Sequence, residues 1–230
     1  MAAALDPVQA VPFVRTSGKA IPESALHYGV SNQASGTPGG NRFDVEMGCA
    51  YTTEVMEIAS EFIWQTFQQE DEERKNVTQV TLTVESFDGV AHTADNKIHL
   101  SSDYIASYLG DVKFEIIGVI FHEITHVWQW NGYHHDARQG LIEGIADYIR
   151  LKAGLAPSHW IKKGSGNRWD EGYAVTAFFL DYCNDLRNGF VASLNCLMKY
   201  SYSDEFFLEL LGKPVDALWK DYKIKYGSLL

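Results

Sequence analysis

The chain has 230 residues, 46% of them hydrophobic and 13% aromatic, which suffices for one large domain or two intimate subdomains around a substantial core. Its formal net charge of −11 disfavours nucleic acid and anionic membrane surfaces as partners. No apolar run reaches the length of a membrane-spanning helix, and Cys49, Cys183 and Cys196 are too few for a disulfide framework.

Residues 1–26 read as irregular. They hold no continuous apolar run of the kind a secretory leader carries, so either the protein is not secreted or its leader is missing from this chain. Ser31–Phe43 (SNQASGTPGGNRF) is turn-rich and reads as a surface loop. Ala50 to Phe67 places Val55, Ile58, Phe62 and Trp64 at helical spacing. Gln68–Lys75 reads as a solvated connection. Val77 to Val84 alternates apolar residues with Thr and Gln, a strand pattern. Asp88-Gly89 marks a turn, and Asn96–Ser101 reads as a short edge strand. From Lys113 onward the pattern is helical. Pro157, Gly164 and Gly166 interrupt it, and Gly189 and Gly212 separate the last helices. Strands first and helices later predict an α+β fold. It divides into an irregular segment at 1–26 and one domain at 27–230, sheet-containing to about 112 and helical over 113–230. Cys183 and Cys196 read as two buried thiols, with a bridge between them as the alternative.

The chemistry concentrates between Phe121 and Asp147. His122, Glu123 and His126 form an H-E-x-x-H pattern. On a helix the two imidazoles share a face and can grip one metal ion, with Glu123 facing the same ion as a base. A catalytic zinc usually takes three protein ligands. A third His at the metzincin spacing fails, because that position is Gly132 and the preceding glycine position is Gln129. His134 and His135 sit in a polar turn and read more plainly as loop histidines. Glu143 follows His126 by 17 residues and opens a second helical segment, LIEGIADYIRLKAG, with Gly144 beside it leaving room for close approach. It is the expected third ligand. Asp147 lies one turn further on, placed to accept the other ring N–H of a metal-bound His, His122 for preference. An ordinary surface helix is the plainer account of that acidic pair. It fits poorly, because apolar residues flank both acids.

HEITHVWQW followed by IEGIADY resembles the gluzincin arrangement. The stretches TPGGNRF, DGVAH, NKIHLSSDYI, HEITHVWQWNG, GLIEGIADYIRLKAG, APSHW, WDEGYAVTAFFLDYC and LLGKPVDALWKDYK together resemble the plant basic secretory protein family, from about Tyr28 to Tyr226. That resemblance implies a zincin-like fold, Zn2+ on His122, His126 and Glu143, and Glu123 as catalytic acid/base. Tyr173 matches the tyrosine of the family's G-Y-x-V-T-A stretch and is the implied donor to an oxyanion, with His159 a weaker candidate. A packed tyrosine and a surface histidine are the plainer readings of those two residues. The chain departs from the family where an acidic residue becomes Ala174 and an arginine becomes Phe178, four apart on one helix face. The HHDARQG loop and the acidic net charge depart as well. Both substituted positions are candidate substrate contacts.

Three functions follow: a metallopeptidase acting on a peptide or protein, a zinc enzyme recruited to a small molecule, and a defence-related binding protein with a vestigial site. The metallopeptidase is the favoured reading. The resemblance also implies a secreted, apoplastic protein, with which the sequon Asn76-Val77-Thr78 is consistent.

Overall fold

The computed structural model describes residues 6–12, 26–132 and 137–227. It has a mixed α+β architecture. Four strands, β1 (His27–Asn32), β2 (Gln79–Glu85), β3 (Ala91–Ala94) and β4 (Lys97–Ser101), form one sheet in the order β1-β2-β4-β3. β1, β2 and β4 run parallel and β3 is antiparallel to β4. Val80, Leu82 and Val84 of β2 and Ile98 and Leu100 of β4 are buried on one face, while Thr81, Thr83 and His99 between them are only half-buried. This is the two-residue alternation of a sheet covered on one side.

The chain position of the helices follows the sequence closely in most places. α2 (Gly48–Thr66) and β2 lie within two residues of their predicted bounds, and α4 (Val112–Trp128) begins where the helical pattern begins. α2 packs on both β1 and α4. α4 is apolar almost all round, with buried residues from Val112 to Trp128, so it runs through the centre of the protein. Asp111 caps it, accepting the Phe114 N–H at 2.9 Å. Then come α5 (Gln139–Lys152), α6 (Tyr173–Leu186), α7 (Phe190–Leu197), α8 (Glu205–Leu211) and α9 (Val215–Tyr226). Gly189 and Gly212 adopt left-handed conformations at the end of a helix or the start of the next, as the later glycines predict.

Three expectations are corrected. Residues 31–43 are not a surface loop: β1 runs to Asn32 and α1 spans Pro38–Glu46. Thr37 caps α1 by accepting the Gly40 N–H at 3.1 Å, and Pro38 takes the first helical position. The two glycines serve close packing. A Cβ on Gly39 would lie 1.8 Å from the Ser102 carbonyl oxygen, and one on Gly40 would lie 2.0 Å from that of Ala34. Ser102 begins a short helix, α3 (Ser102–Ser107).

The strand predicted over Asn96–Ser101 is β4, and it is internal. The edge on that side belongs to β3, joined to β4 by Asp95 and Asn96, both with positive φ. That two-residue turn is the tight hairpin geometry favoured by Asp and Asn. The third correction concerns residues 1–26. Within this segment, Pro7–Ala10 makes a 3-10 turn that buries Val8 and Val11 against the core. Lys113 at the start of α4 pairs with Asp6 at 2.8 Å and anchors it.

Cys49, Cys183 and Cys196 are free thiols. Cys183 is buried and Cys196 exposed, so the bridge alternative gives way to thiols, only one of them buried. No helix among the described residues is long and apolar enough to cross a membrane.

Candidate active site

α4 delivers His122, Glu123 and His126 to the floor of a cleft of about 920 Å³, and α5 delivers Glu143 and Asp147 from the opposite side. Gly118 of α4 leaves room for Arg150 of α5 where the two helices cross, and α5 is itself notched toward α6. Gly144 sits where a Cβ would lie 2.2 Å from Cγ2 of Thr176 on α6. Thr176 cannot step aside, since its hydroxyl donates to the Trp169 carbonyl at 2.6 Å and accepts the Gly172 N–H at 2.9 Å. Gly144→Ala is therefore expected to lower stability by roughly 1–3 kcal/mol, the usual range for overpacking, measurable by denaturant unfolding.

His122 Nε2, His126 Nε2 and Glu143 Oε2 converge. The two imidazole nitrogens are 3.1 Å apart, and Glu143 Oε2 lies 3.2 Å from His122 Nε2 and 3.7 Å from His126 Nε2. These three residues form a group that could hold a metal ion. Each is oriented from behind. Asp147 Oδ1 accepts the Nδ1–H of His122 at 2.7 Å, the contact expected from the sequence. Gln139, one turn before Glu143, donates to its other oxygen at 2.7 Å. Gln129 lies 2.8 Å from His126 Nδ1 through its amide nitrogen, while its buried Oε1 has no partner among the described residues. Turning that amide over lets Oε1 accept Nδ1–H and leaves the Nε2 lone pair of His126 facing the other two donors.

Glu123 is nearly fully buried beside this group. Thr93 of edge strand β3 donates to its Oε2 at 2.6 Å. Oε1 makes no hydrogen bond to the protein among the described residues. Tyr173 opens α6 with φ of 45°, directly after Gly172 at 95°. Such a conformation is uncommon outside glycine and is a frequent mark of functional positions. Its ring stands nearly parallel to that of His122, with centroids 6.1 Å apart, and the residue is 58% exposed and lines the cleft. Burial, followed by the charges of Glu143, Asp147 and Glu123, raises its pKa above the ordinary tyrosine value, so the hydroxyl keeps its proton.

The remaining candidates are dispersed. Ala174 lines the cleft. Phe178, one turn behind it, packs against the core and stands edge-on to Trp160 at 6.0 Å. His159 lines the far end of the cleft, with its ring against Tyr108. His134 and His135 lie outside the described residues. Sequence reading missed Thr93, Gln129 and Gln139. Gln139 and Gln129 carried a local signal, their i,i+4 spacing to Glu143 and i,i+3 spacing to His126, and Thr93 carried none.

Electrostatics in the metal-free protein tie the cluster together. Burial opposes charge on His122, but hydrogen bonds to Asp147 and Glu143 raise its pKa to about 10. Burial likewise disfavours the Glu143 carboxylate, yet the two imidazoles hold it well below the usual carboxylate range. The raised His122 stabilises the fold fully below its ordinary value of 6.5 and loses that contribution as pH rises through about 10. The lowered Glu143 contributes above its ordinary value of 4.5 and is lost as pH falls. The chelator-treated protein is thus expected to melt progressively lower from about pH 6.5 to 10. A cation at these donors must displace the His122 proton, so loading should flatten that slope. Melting curves across this range, with and without added metal, check both statements.

Residues 23–222 match the family model BSP, described as "Peptidase of plants and bacteria". The chain belongs to this family. It is also similar to a "Basic secretory protease" from Boswellia serrata, 48% identical over 59 residues, which span 26% of this chain and 67% of that relative. No solved structure matches.

Proposed function

We propose that the protein is a zinc-dependent metallopeptidase with a zincin-like fold, in which His122, His126 and Glu143 hold the metal and Glu123 is the general base. The observation that carries this reading is the spacing of the three donor atoms. Tetrahedral zinc with ligands at ~2.0–2.1 Å requires donor separations of roughly 3.3–3.4 Å. The separations here are 3.1, 3.2 and 3.7 Å. The orphaned carbonyl of Gln129 also fits, since it supplies the acceptor that a metal-binding tautomer of His126 needs.

Bound there, zinc would act as a Lewis acid on a carbonyl oxygen and acidify water. The chain's own residues do the rest. Glu123 takes the proton of the attacking water through Oε1, while Thr93 holds Oε2. The same carboxyl then hands the proton to the leaving amine. Tyr173, kept protonated, donates to the oxygen on which negative charge develops. Asp147 and Gln139 keep His122 and Glu143 aimed. An extended peptide would lie along β3, which is both a sheet edge and a wall of the cleft.

Membership of a peptidase family supports a peptide or protein substrate. The name of the Boswellia relative supports secretion, and Asn76 of the sequon is exposed. Metal analysis combined with digestion of a broad peptide library tests the reading. Zinc with cleavage is the expected result. Zinc without cleavage would transfer the site to small-molecule chemistry, and absence of any bound metal would reduce it to a vestige.

A further inference from the structure

The cleft continues past the donor group along α4, and its far end is built differently from its floor. Arg150 of α5 lies across α4 at Gly118, where a Cβ would stand 2.4 Å from its Nε. The residue is 6% exposed. Its Nε donates to the Leu155 carbonyl at 3.0 Å and its Nη2 to Glu115 Oε2 at 2.9 Å. Its Nη1 makes no hydrogen bond among the described residues. Glu115, 2% exposed, is by contrast fully engaged. It also accepts from Tyr104 at 3.0 Å and Tyr108 at 3.3 Å. Arg150, Glu115 and Tyr104 all line the cleft, together with Val119, His159 and Trp160.

We propose that this arm of the cleft is a selective subsite for a long substrate side chain ending in an uncharged hydrogen-bond acceptor, read by Nη1 of Arg150. The inference rests on the peptidase reading of the same cleft. Nη1 is not one of the buried atoms that lack a partner, so it reaches the open cleft, where a guest can accept its N–H. Here one nitrogen is left for a guest. The charge of Arg150 is already balanced by Glu115, so a second carboxylate would meet a neutral pair and the repulsion of Glu115. An uncharged carbonyl or hydroxyl meets no such repulsion. Tyr104, His159, Trp160 and Val119 line this arm, three of them aromatic rings. Such a slot suits the planar amide of glutamine or the ring of tyrosine. Ala174 adds no bulk at the cleft wall, and Phe178 backs Trp160 from behind.

The test uses two matched peptide series on the zinc-loaded protein, with the variable residue placed in turn on each side of the cleaved bond. One series carries Gln, Met or Glu, and the other Tyr or Phe. On one side of the bond, kcat/KM should favour Gln over Met and Tyr over Phe by about tenfold or more, the scale of a hydrogen bond to a charged group. Glu should rank below Met. Removing Arg150 alone would strand a buried carboxylate, so the informative variant is the double replacement Arg150→Met with Glu115→Gln. It should bring both ratios close to one. Val119→Phe fills the arm without touching the ion pair and should also erase the preference. Calorimetric binding of uncleaved peptides to the Glu123→Gln protein gives a readout independent of turnover. If nothing is cleaved but Gln still binds better than Met, the subsite stands and the peptidase reading falls. If peptides are cleaved with Gln and Met equal on both sides, or if the double variant keeps the preference, the subsite assignment is overturned.

Discussion

Glu123→Gln is expected to lower turnover by ~10²–10⁴-fold, the usual worth of general acid–base catalysis, while metal content and fold stay as they were. The expectation of retained structure is local. Glu123 is not one of the three converging donors. Its buried Oε2 is held by the Thr93 hydroxyl, and the carbonyl of a glutamine can accept that same bond. The exchange keeps volume and shape in a site that tolerates neither a void nor a bulge. What it removes is a proton acceptor on the side facing the cleft. The measurement is kcat/KM on a peptide drawn from the library screen, with zinc stoichiometry determined on the same sample. Near-normal activity in a zinc-loaded Glu123→Gln protein would remove Glu123 from the mechanism. Thr93→Val adds a graded control. It frees Oε2 without changing the base, so a smaller loss is expected, arising from misplaced geometry.

The parts of the site readable in the sequence are those whose geometry is local. His122 and His126 lie one turn apart on α4, as do Glu143 and Asp147 on α5, and helical periodicity alone puts each pair on one face. The partners that aim them are less accessible. Thr93 reaches Glu123 from a four-residue strand whose sequence, AHTA, carries no apolar alternation. Its place is set by a hairpin turn through two non-glycine residues. Arg150 and Glu115 are separated by 35 residues and meet only because Gly118 lets α5 cross α4 closely. Gly39 and Gly40 mislead in the opposite direction. Read locally they mean a loop, whereas the fold uses them inside α1 where neighbouring backbones leave no space for a Cβ. Phe178 shows the same limit. Spacing puts it on the face of Ala174, but the cleft wall ends at Ala174, and Phe178 serves as backing for Trp160.

Glu143→Ala should abolish high-affinity metal binding, and it should do so by more than any neighbouring change. The carboxylate supplies one of three donors, and a two-imidazole site lacks the third ligand and the negative charge that catalytic zinc sites normally carry. Its loss also leaves the raised His122 with Asp147 as its remaining carboxylate partner. Supporting residues act more weakly: altering a partner of a ligand typically costs ~10–100-fold in metal affinity. Asp147→Asn is therefore expected to fall in that range, since an amide can still accept the His122 Nδ1–H but offers no charge. Gln139→Ala, which frees an oxygen of Glu143 that faces away from the histidines, should cost less than Asp147→Asn. His134→Ala and His135→Ala should leave affinity unchanged. The expected order of metal affinity, from weakest to strongest, is Glu143→Ala, Asp147→Asn, Gln139→Ala, then the starting protein. Competition with a chromophoric chelator at fixed pH measures it, and the pH must be fixed because the His122 proton competes with the metal. If His134→Ala strips the metal while Glu143→Ala keeps it, the third ligand is His134 and the assignment to Glu143 is wrong.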